Sequence, residues 1–317
     1  MPAYTTILGA IFPVFAIMAA GFVFRRRNWM AEELETDVMR LALRLLLPCL
    51  IIDMIAGNPA LEKISTAAWA IAFGFCGILI GYGVAFAMAK LFRMAHGEGL
   101  RTFTITAGIQ NYGFIALPVT IALFPGNTGP SGLIFIHGLG IEIAMWTIGI
   151  LIMSRNAGPA WKLLINGPFI AVITGLVLNY SHAHEYLPQI VKTTIHMIGA
   201  SAIPISVFMI GATIGKLFSK GILHDFARVA FASITARLAI TPAILIGLAF
   251  LLPIPRDLAC VLAVQAGMPA AVMPIMIAKL YGGHPETAIK VVVATTAVIL
   301  VTGPLVIALA LRWLELG

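Results

Sequence analysis

The sequence predicts an all-α integral membrane protein of ten transmembrane helices, arranged as two inverted five-helix repeats. Three observations carry this expectation. Apolar residues make up 60% of the 317-residue chain and charged residues only 10%, whereas a soluble domain carries about a quarter charged residues. The apolar residues gather into ten runs bounded by charge or turn signals, at residues 6–24, 38–56, 66–89, 102–124, 132–153, 162–180, 187–214, 226–252, 258–280 and 287–312. A helix needs about 20 such residues to cross the hydrocarbon core. Finally, proline segments recur at one offset along the chain. What lies between the runs suffices for short loops, so two-domain soluble enzymes are excluded. Cys49, Cys76 and Cys260 all fall inside apolar runs, which reads as reduced packing residues rather than a disulfide scaffold.

The first run is followed, not preceded, by Arg25, Arg26 and Arg27, so it reads as a retained span rather than a cleaved signal peptide. The second begins with Arg40 and Arg44 and contains Leu47-Pro48-Cys49; long basic side chains at a span end snorkel to the interface. The third carries Gly74, Gly77 and Gly81, small residues that let helices approach closely in lipid. The fourth holds Gln110-Asn111-Tyr112-Gly113 near its middle and then Pro118; the fifth holds Glu142. Asn166-Gly167-Pro168 opens the sixth, Ile203-Pro204-Ile205 lies in the seventh and Arg237 in the eighth. The ninth has Gln265-Ala266-Gly267-Met268-Pro269 near its middle and then Pro274, and the tenth has Thr295-Thr296.

Charge sets the orientation. Thirteen cations, among them Arg155 and Lys220, fall in the odd-numbered loops, against four (Lys63, Lys192, Arg256, Arg312) in the even-numbered loops and termini. By the positive-inside rule the odd loops are cytoplasmic and both termini lie on the non-cytoplasmic side of the cell membrane. The net charge of +7 is thereby topogenic, and nucleic acid is not expected as a partner.

Pro118 and Pro274 are 156 residues apart, as are Pro48 and Pro204, while Pro13 and Pro168 are 155 apart. A shared offset across three helix pairs marks an internal repeat, 1–153 and 154–317. Five spans per copy is odd, so the second copy enters from the opposite side, the arrangement of secondary transporters with a midplane site between halves. Spans four and nine read as broken helices. Interior proline costs about 3 kcal/mol in a helix and glycine about 1, and irregular backbone at membrane depth persists only where it lines protein or a water-filled cavity. Each broken span has a second half that begins near the midplane. Two positive helix N-termini converge there, which favours an anion, a carboxylate above all.

The polar residues at the breaks are the candidate substrate-binding set: Asn111 with Gln110, Tyr112 and Gly113, and Gly267, Met268 and Pro269 opposite. Asn111 can donate its amide to a carboxylate; its bland alternative is to satisfy backbone freed by the break. Glu142 is either a proton-coupling carboxylate or half of a buried ion pair with Arg237, since an isolated acid at the bilayer centre costs about 2.5–3.5 kcal/mol. Arg237 reads as that partner, as a snorkelling base, or as a counter-charge for substrate. Asp53, nearer a span end, is a second coupling candidate. Ser206, Thr295 and Thr296 are possible hydroxyl ligands. No Walker A loop, Rossmann fingerprint, HExxH or GxSxG occurs, which argues against ATP-driven transport by this chain. An intramembrane enzyme would need a nucleophile–base pair, and only Glu142 with scattered histidines is available. No cofactor or metal is expected.

The stretch Gln110–Val119, the segment Leu46–Cys49, Asn166-Gly167-Pro168 and the Pro269/Pro274 helix resemble the auxin efflux carrier family, which includes bacterial organic-acid carriers and belongs with the bile-acid symporters. The resemblance spans essentially the whole chain. It implies spans four and nine crossing at their breaks, with Asn111 and Pro118 in the first crossover and Pro269 or Pro274 marking the second. It further implies an elevator-type carrier in which spans three to five and eight to ten move against spans one, two, six and seven, and a homodimer formed through the latter. This sequence lacks the long cytoplasmic loop of plant members and has Gly267 where the repeat would place a partner for Asn111. The expected function is secondary transport of a small organic anion, a dicarboxylate or auxin-like acid, coupled to protons in preference to sodium. A sodium-coupled symporter of the bile-acid type and a sensor or channel of the same fold are the alternatives.

Overall fold

The structure, a computed structural model, describes residues 4–94, 99–154, 160–217 and 225–316. Arg155 and Lys220, counted above among the cytoplasmic cations, lie outside the described residues. Helices account for every regular element among the described residues. In chain order they are α1 (Tyr4–Arg26), α2 (Glu32–Leu41), α3 (Leu47–Ile55), α4 (Ile64–Leu91), α5 (Leu100–Gly108), α6 (Ala116–Leu123), α7 (Gly129–Ala144), α8 (Ile150–Met153) and α9 (Trp161–Leu164). There follow α10 (Gly167–Tyr180), α11 (Gln189–Ala200), α12 (Ala202–Leu217), α13 (Phe226–Thr235), α14 (Thr241–Leu251), α15 (Arg256–Ala266), α16 (Met273–Leu280) and α17 (Pro285–Trp313).

Six helical stretches are long and apolar enough to cross a membrane: Tyr4–Arg26, Ile64–Leu91, Gly129–Met153, Gln189–Leu217, Phe226–Leu251 and Pro285–Trp313. The sixth predicted run holds the shorter apolar helix Gly167–Tyr180. The second run lies in one helical path over 32–55 that passes through a π turn, while the fourth and ninth are each divided between two helices by non-helical backbone.

Three of the longer paths are widened by a π turn, at Ala42–Leu46, Met145–Gly149 and Ala236–Ile240. Two have a sequence cause. Pro48 and Pro242 follow in the first turns of α3 and α14, and a proline ring clashes with the carbonyl four residues back. Those carbonyls belong to Arg44 and Leu238, each inside a π turn, where the wider winding relieves the clash. The third has no such proline. Its Trp146 carbonyl turns instead to the Ala160 N–H at 2.9 Å.

Lipid tails are as apolar as leucine, so helix association relies on close packing. Glycines supply it in reciprocal pairs. A Cβ on Gly21 of α1 would strike the Phe208 carbonyl of α12, and one on Gly211 of α12 would strike the Met18 carbonyl of α1. Between α4 and α7 the same exchange joins Gly74 to the His137 carbonyl and Gly140 to that of Ile71. Gly81 of α4 lies against the Gly108 carbonyl that ends α5. Of the three glycines singled out in the third run, Gly74 and Gly81 make the close approaches; Gly77 faces Leu245 at ordinary distance, 3.5 Å.

Candidate functional site

The fourth and ninth runs are interrupted where the polar and proline residues predicted it. Helix α5 ends at Gly108 and α6 begins at Ala116; α15 ends at Ala266 and α16 begins at Met273. Pro269 lies within the second interruption. Pro118 and Pro274 do not: each sits in the first turn of a second half-helix, where a missing N–H costs nothing because that donor has no intrahelical partner anyway. Both second halves, α6 and α16, are eight residues long.

The two interruptions meet. Extended backbone pairs antiparallel at Gln110 and Ala270, through Asn111 N–H to the Pro269 carbonyl at 2.8 Å and Ala271 N–H to the Ile109 carbonyl at 2.9 Å. These bonds satisfy groups that two broken helices would leave bare. The Thr295 hydroxyl of α17 accepts from the Ala270 N–H at 3.1 Å and donates to the Val291 carbonyl at 2.8 Å, so it serves the junction's backbone. The Gly113 carbonyl accepts from the Leu117 N–H at 3.0 Å, closing the first turn of α6.

Side chains then lock the junction from both sides. Gln265 donates its amide to the Tyr112 carbonyl at 2.9 Å, while its side-chain oxygen is buried without a partner. Tyr112 lays its ring against Gly138 of α7, where a Cβ would not fit. Its hydroxyl donates to Glu142 at 2.7 Å, and the Asn166 side chain is a second polar neighbour of that carboxylate. Asn111 is 5% exposed, Gln110 3% and Gln265 2%, while Tyr112 and Gly113 are partly exposed.

Two expectations about charge are corrected. The Glu142–Arg237 ion pair is not formed: Glu142 takes the Tyr112 hydroxyl and Arg237 takes neutral oxygens of the junction. Arg237, in the π turn of the eighth run, is fully buried. It donates to the Met268 carbonyl at 3.3 Å, the Gln110 side-chain oxygen at 3.3 Å and the Gln265 carbonyl at 3.2 Å. It is therefore not a snorkelling base either. Asp53 stands apart from the junction and meets His196 of α11, Oδ2 to Nδ1 at 2.9 Å. Gly267 has a packing reason for lacking a side chain: a Cβ there would meet Ile307 of α17 at 2.7 Å and the Gly303 carbonyl at 3.0 Å. Ser206 is buried, its hydroxyl without a partner.

Sequence reasoning missed the Tyr112–Glu142 bond, the Gln265–Tyr112 bond and the role of Thr295. The last had no signal, since threonines in apolar helices usually bond their own backbone, as Thr295 also does. A half-open apolar groove of about 250 Å³ lies between α1, α6 and α12, lined by residues including Pro13, Val14, Pro118, Ala122, Pro204 and Val207.

Helices broken near mid-length inside an apolar bundle occur in many secondary transporters, and comparison with known proteins gives the family. The profile of the family described as "Membrane transport protein" matches residues 6–160 and again 159–307. The chain belongs to this family, that of the auxin efflux carriers. It is a multi-pass membrane transporter and not an enzyme. Among relatives, "Auxin efflux carrier component 8" of Arabidopsis thaliana is 26% identical over 145 residues, 43% of this chain. The match spans only 39% of the length of that plant protein. An "Uncharacterized transporter" of Methanothermobacter thermautotrophicus is 22% identical over 271 residues, 84% of this chain and 86% of its own.

Proposed function

We propose that this chain is a secondary transporter of a small organic anion, a carboxylate, working by alternating access with its substrate bound at the junction. The carrying observation is the direct pairing of the two interruptions at Gln110 and Ala270. The paired segments lead into the N-termini of α6 and α16, and they carry Asn111, with Gln265 bonded across to Tyr112. Half-helix N-termini attract anionic groups, and the unpartnered Gln265 oxygen leaves polar capacity for a ligand hydroxyl or protonated group.

On this reading the membrane is crossed ten times in two inverted repeats, 1–153 and 154–317, with the fourth and ninth spans crossing at their breaks. The helix irregularity ahead of Pro48, the π turn at Ala42–Leu46, corresponds to the one at Ser201 ahead of Pro204. Helices α1, α3, α10, α11 and α12 pack chiefly on one another, and α4, α5, α7, α13, α15 and α17 do likewise. This grouping supports an elevator in which the second set moves against the first, with the first forming a homodimer. Glu142, tied to the junction through Tyr112, is the proton-coupling group of choice; Asp53, committed to His196, is not.

The test is ligand binding to purified protein, read as thermal stabilisation by malonate, malate, succinate, a monocarboxylate and an indole carboxylate. At least one acid is expected to stabilise wild type and to lose that effect in Asn111→Ala. Stabilisation that survives in Asn111→Ala would place the site elsewhere. In vesicles, Glu142→Gln is expected to keep exchange but lose the response to an imposed pH gradient; an unchanged response would remove Glu142 from coupling.

A further inference from the structure

Arg237 heads the fully buried side chains by volume. A guanidinium stays protonated in proteins, so a whole positive charge lies inside a membrane helix. Such charges are costly and are normally paired. Among the described residues no carboxylate pairs with Arg237. Its partners are three neutral oxygens, the Gln265 and Met268 carbonyls and the Gln110 amide oxygen, at 3.2–3.3 Å.

The source of these oxygens matters. The Gln265 carbonyl belongs to the last turn of α15 and the Met268 carbonyl lies just past it, at the negative end of a half-helix. Gln110 comes from the other interruption. Main-chain carbonyls released at a half-helix C-terminus, completed by an amide oxygen and carrying no net charge, are ligands suited to an alkali cation. Here the guanidinium takes that place. Because it binds both interruptions, its charge stays fixed to the junction whichever way the helices move.

We propose that Arg237 is a built-in cation occupying an alkali-type oxygen site, so that the junction has its positive charge without sodium, and that removing the guanidinium while sparing the oxygens uncovers a sodium site. A carboxylate bound at the junction then meets a permanent charge where a sodium-coupled carrier would first have to load an ion. This last consequence rests on the junction being the substrate site; the sodium site itself does not.

The experiment compares wild type, Arg237→Ala, Arg237→Lys, Arg237→Met and the double variant Gln110→Leu/Arg237→Ala, purified and melted in sodium chloride or choline chloride at equal ionic strength, with radiolabelled sodium binding in parallel. Wild type and Arg237→Lys are expected to melt alike in both salts. Arg237→Ala should gain saturable sodium binding and melt about 2–4 °C higher or more in sodium. Arg237→Met fills the space without charge and should gain no sodium site; the double variant, short of one oxygen, should lose it. Sodium binding by wild type, its absence in folded Arg237→Ala, or an Arg237→Ala protein that folds in neither salt would each overturn the proposal. For uptake, Arg237→Met is expected to fall at least about tenfold, with Arg237→Ala recovering in sodium. Sodium binding gained by Arg237→Ala, together with no uptake of any acid by wild type, would instead remove the carrier reading and leave this one standing.

Discussion

Tyr112 joins the junction to the nearest acid. Its carbonyl accepts from Gln265 at 2.9 Å and its hydroxyl donates to Glu142 at 2.7 Å, so one residue links both interruptions to α7. Glu142 is half-buried, so losing a partner costs it up to about 1–3 kcal/mol. Tyr112→Phe is therefore expected to lower thermal stability by that order, with Glu142→Gln in the same background recovering part of the loss, since a neutral amide is cheaper to leave unpaired. A Tyr112→Phe protein as stable as wild type would mean that water replaces the hydroxyl. At this scale the sequence was partly legible. Asn111, Gln110, Gln265 and Pro269 announced themselves as polar or helix-breaking residues inside apolar runs. The partners of Glu142 and Arg237 did not, because opposite charges in neighbouring spans suggest a pair whatever the geometry. The fold gave each a nearer neutral partner.

Among the elements, the half-helices and the glycine contacts follow from local sequence most directly. A proline can open a helix but not sit inside one without distortion, so Pro118 and Pro274 each stand in the first turn of a half-helix. Pro48 and Pro242 explain two π turns by the same sterics. The π turn at Met145–Gly149 was not legible, because no proline marks it and its Trp146 carbonyl is taken by the N–H of Ala160. The packing of α1 on α12 depends on Gly21 and Gly211, each set against the other helix's backbone. Gly211→Ala is expected to force the helices apart at a cost of about 1–3 kcal/mol, read as a lower melting temperature in detergent. Gly83→Ala, with nothing within 4 Å of its Cβ, should be neutral or stabilising by up to about 1 kcal/mol. Equal effects from the two would argue against a tight α1–α12 contact.

At the scale of the whole molecule, composition alone made the membrane class plain, and the shared proline offset brought the two interruptions into correspondence before any coordinates. What the sequence could not say was that the interruptions hydrogen-bond to each other, since antiparallel pairing of two short segments about 160 residues apart leaves no periodic trace. Orientation comes from the distribution of cations, and it predicts opposite labelling of two loops. In a background without Cys49, Cys76 and Cys260, Lys63→Cys should react with an impermeant maleimide from outside intact cells and Arg93→Cys only after permeabilisation. The reverse pattern would invert the topology. Carriage of a carboxylate through the junction is read by tracer uptake or charge movement in proteoliposomes, with wild type and Asn111→Ala offered the same panel of acids. Uptake of at least one acid by wild type that falls by about tenfold or more in the folded variant is the predicted result. Equal uptake by both proteins would contradict it.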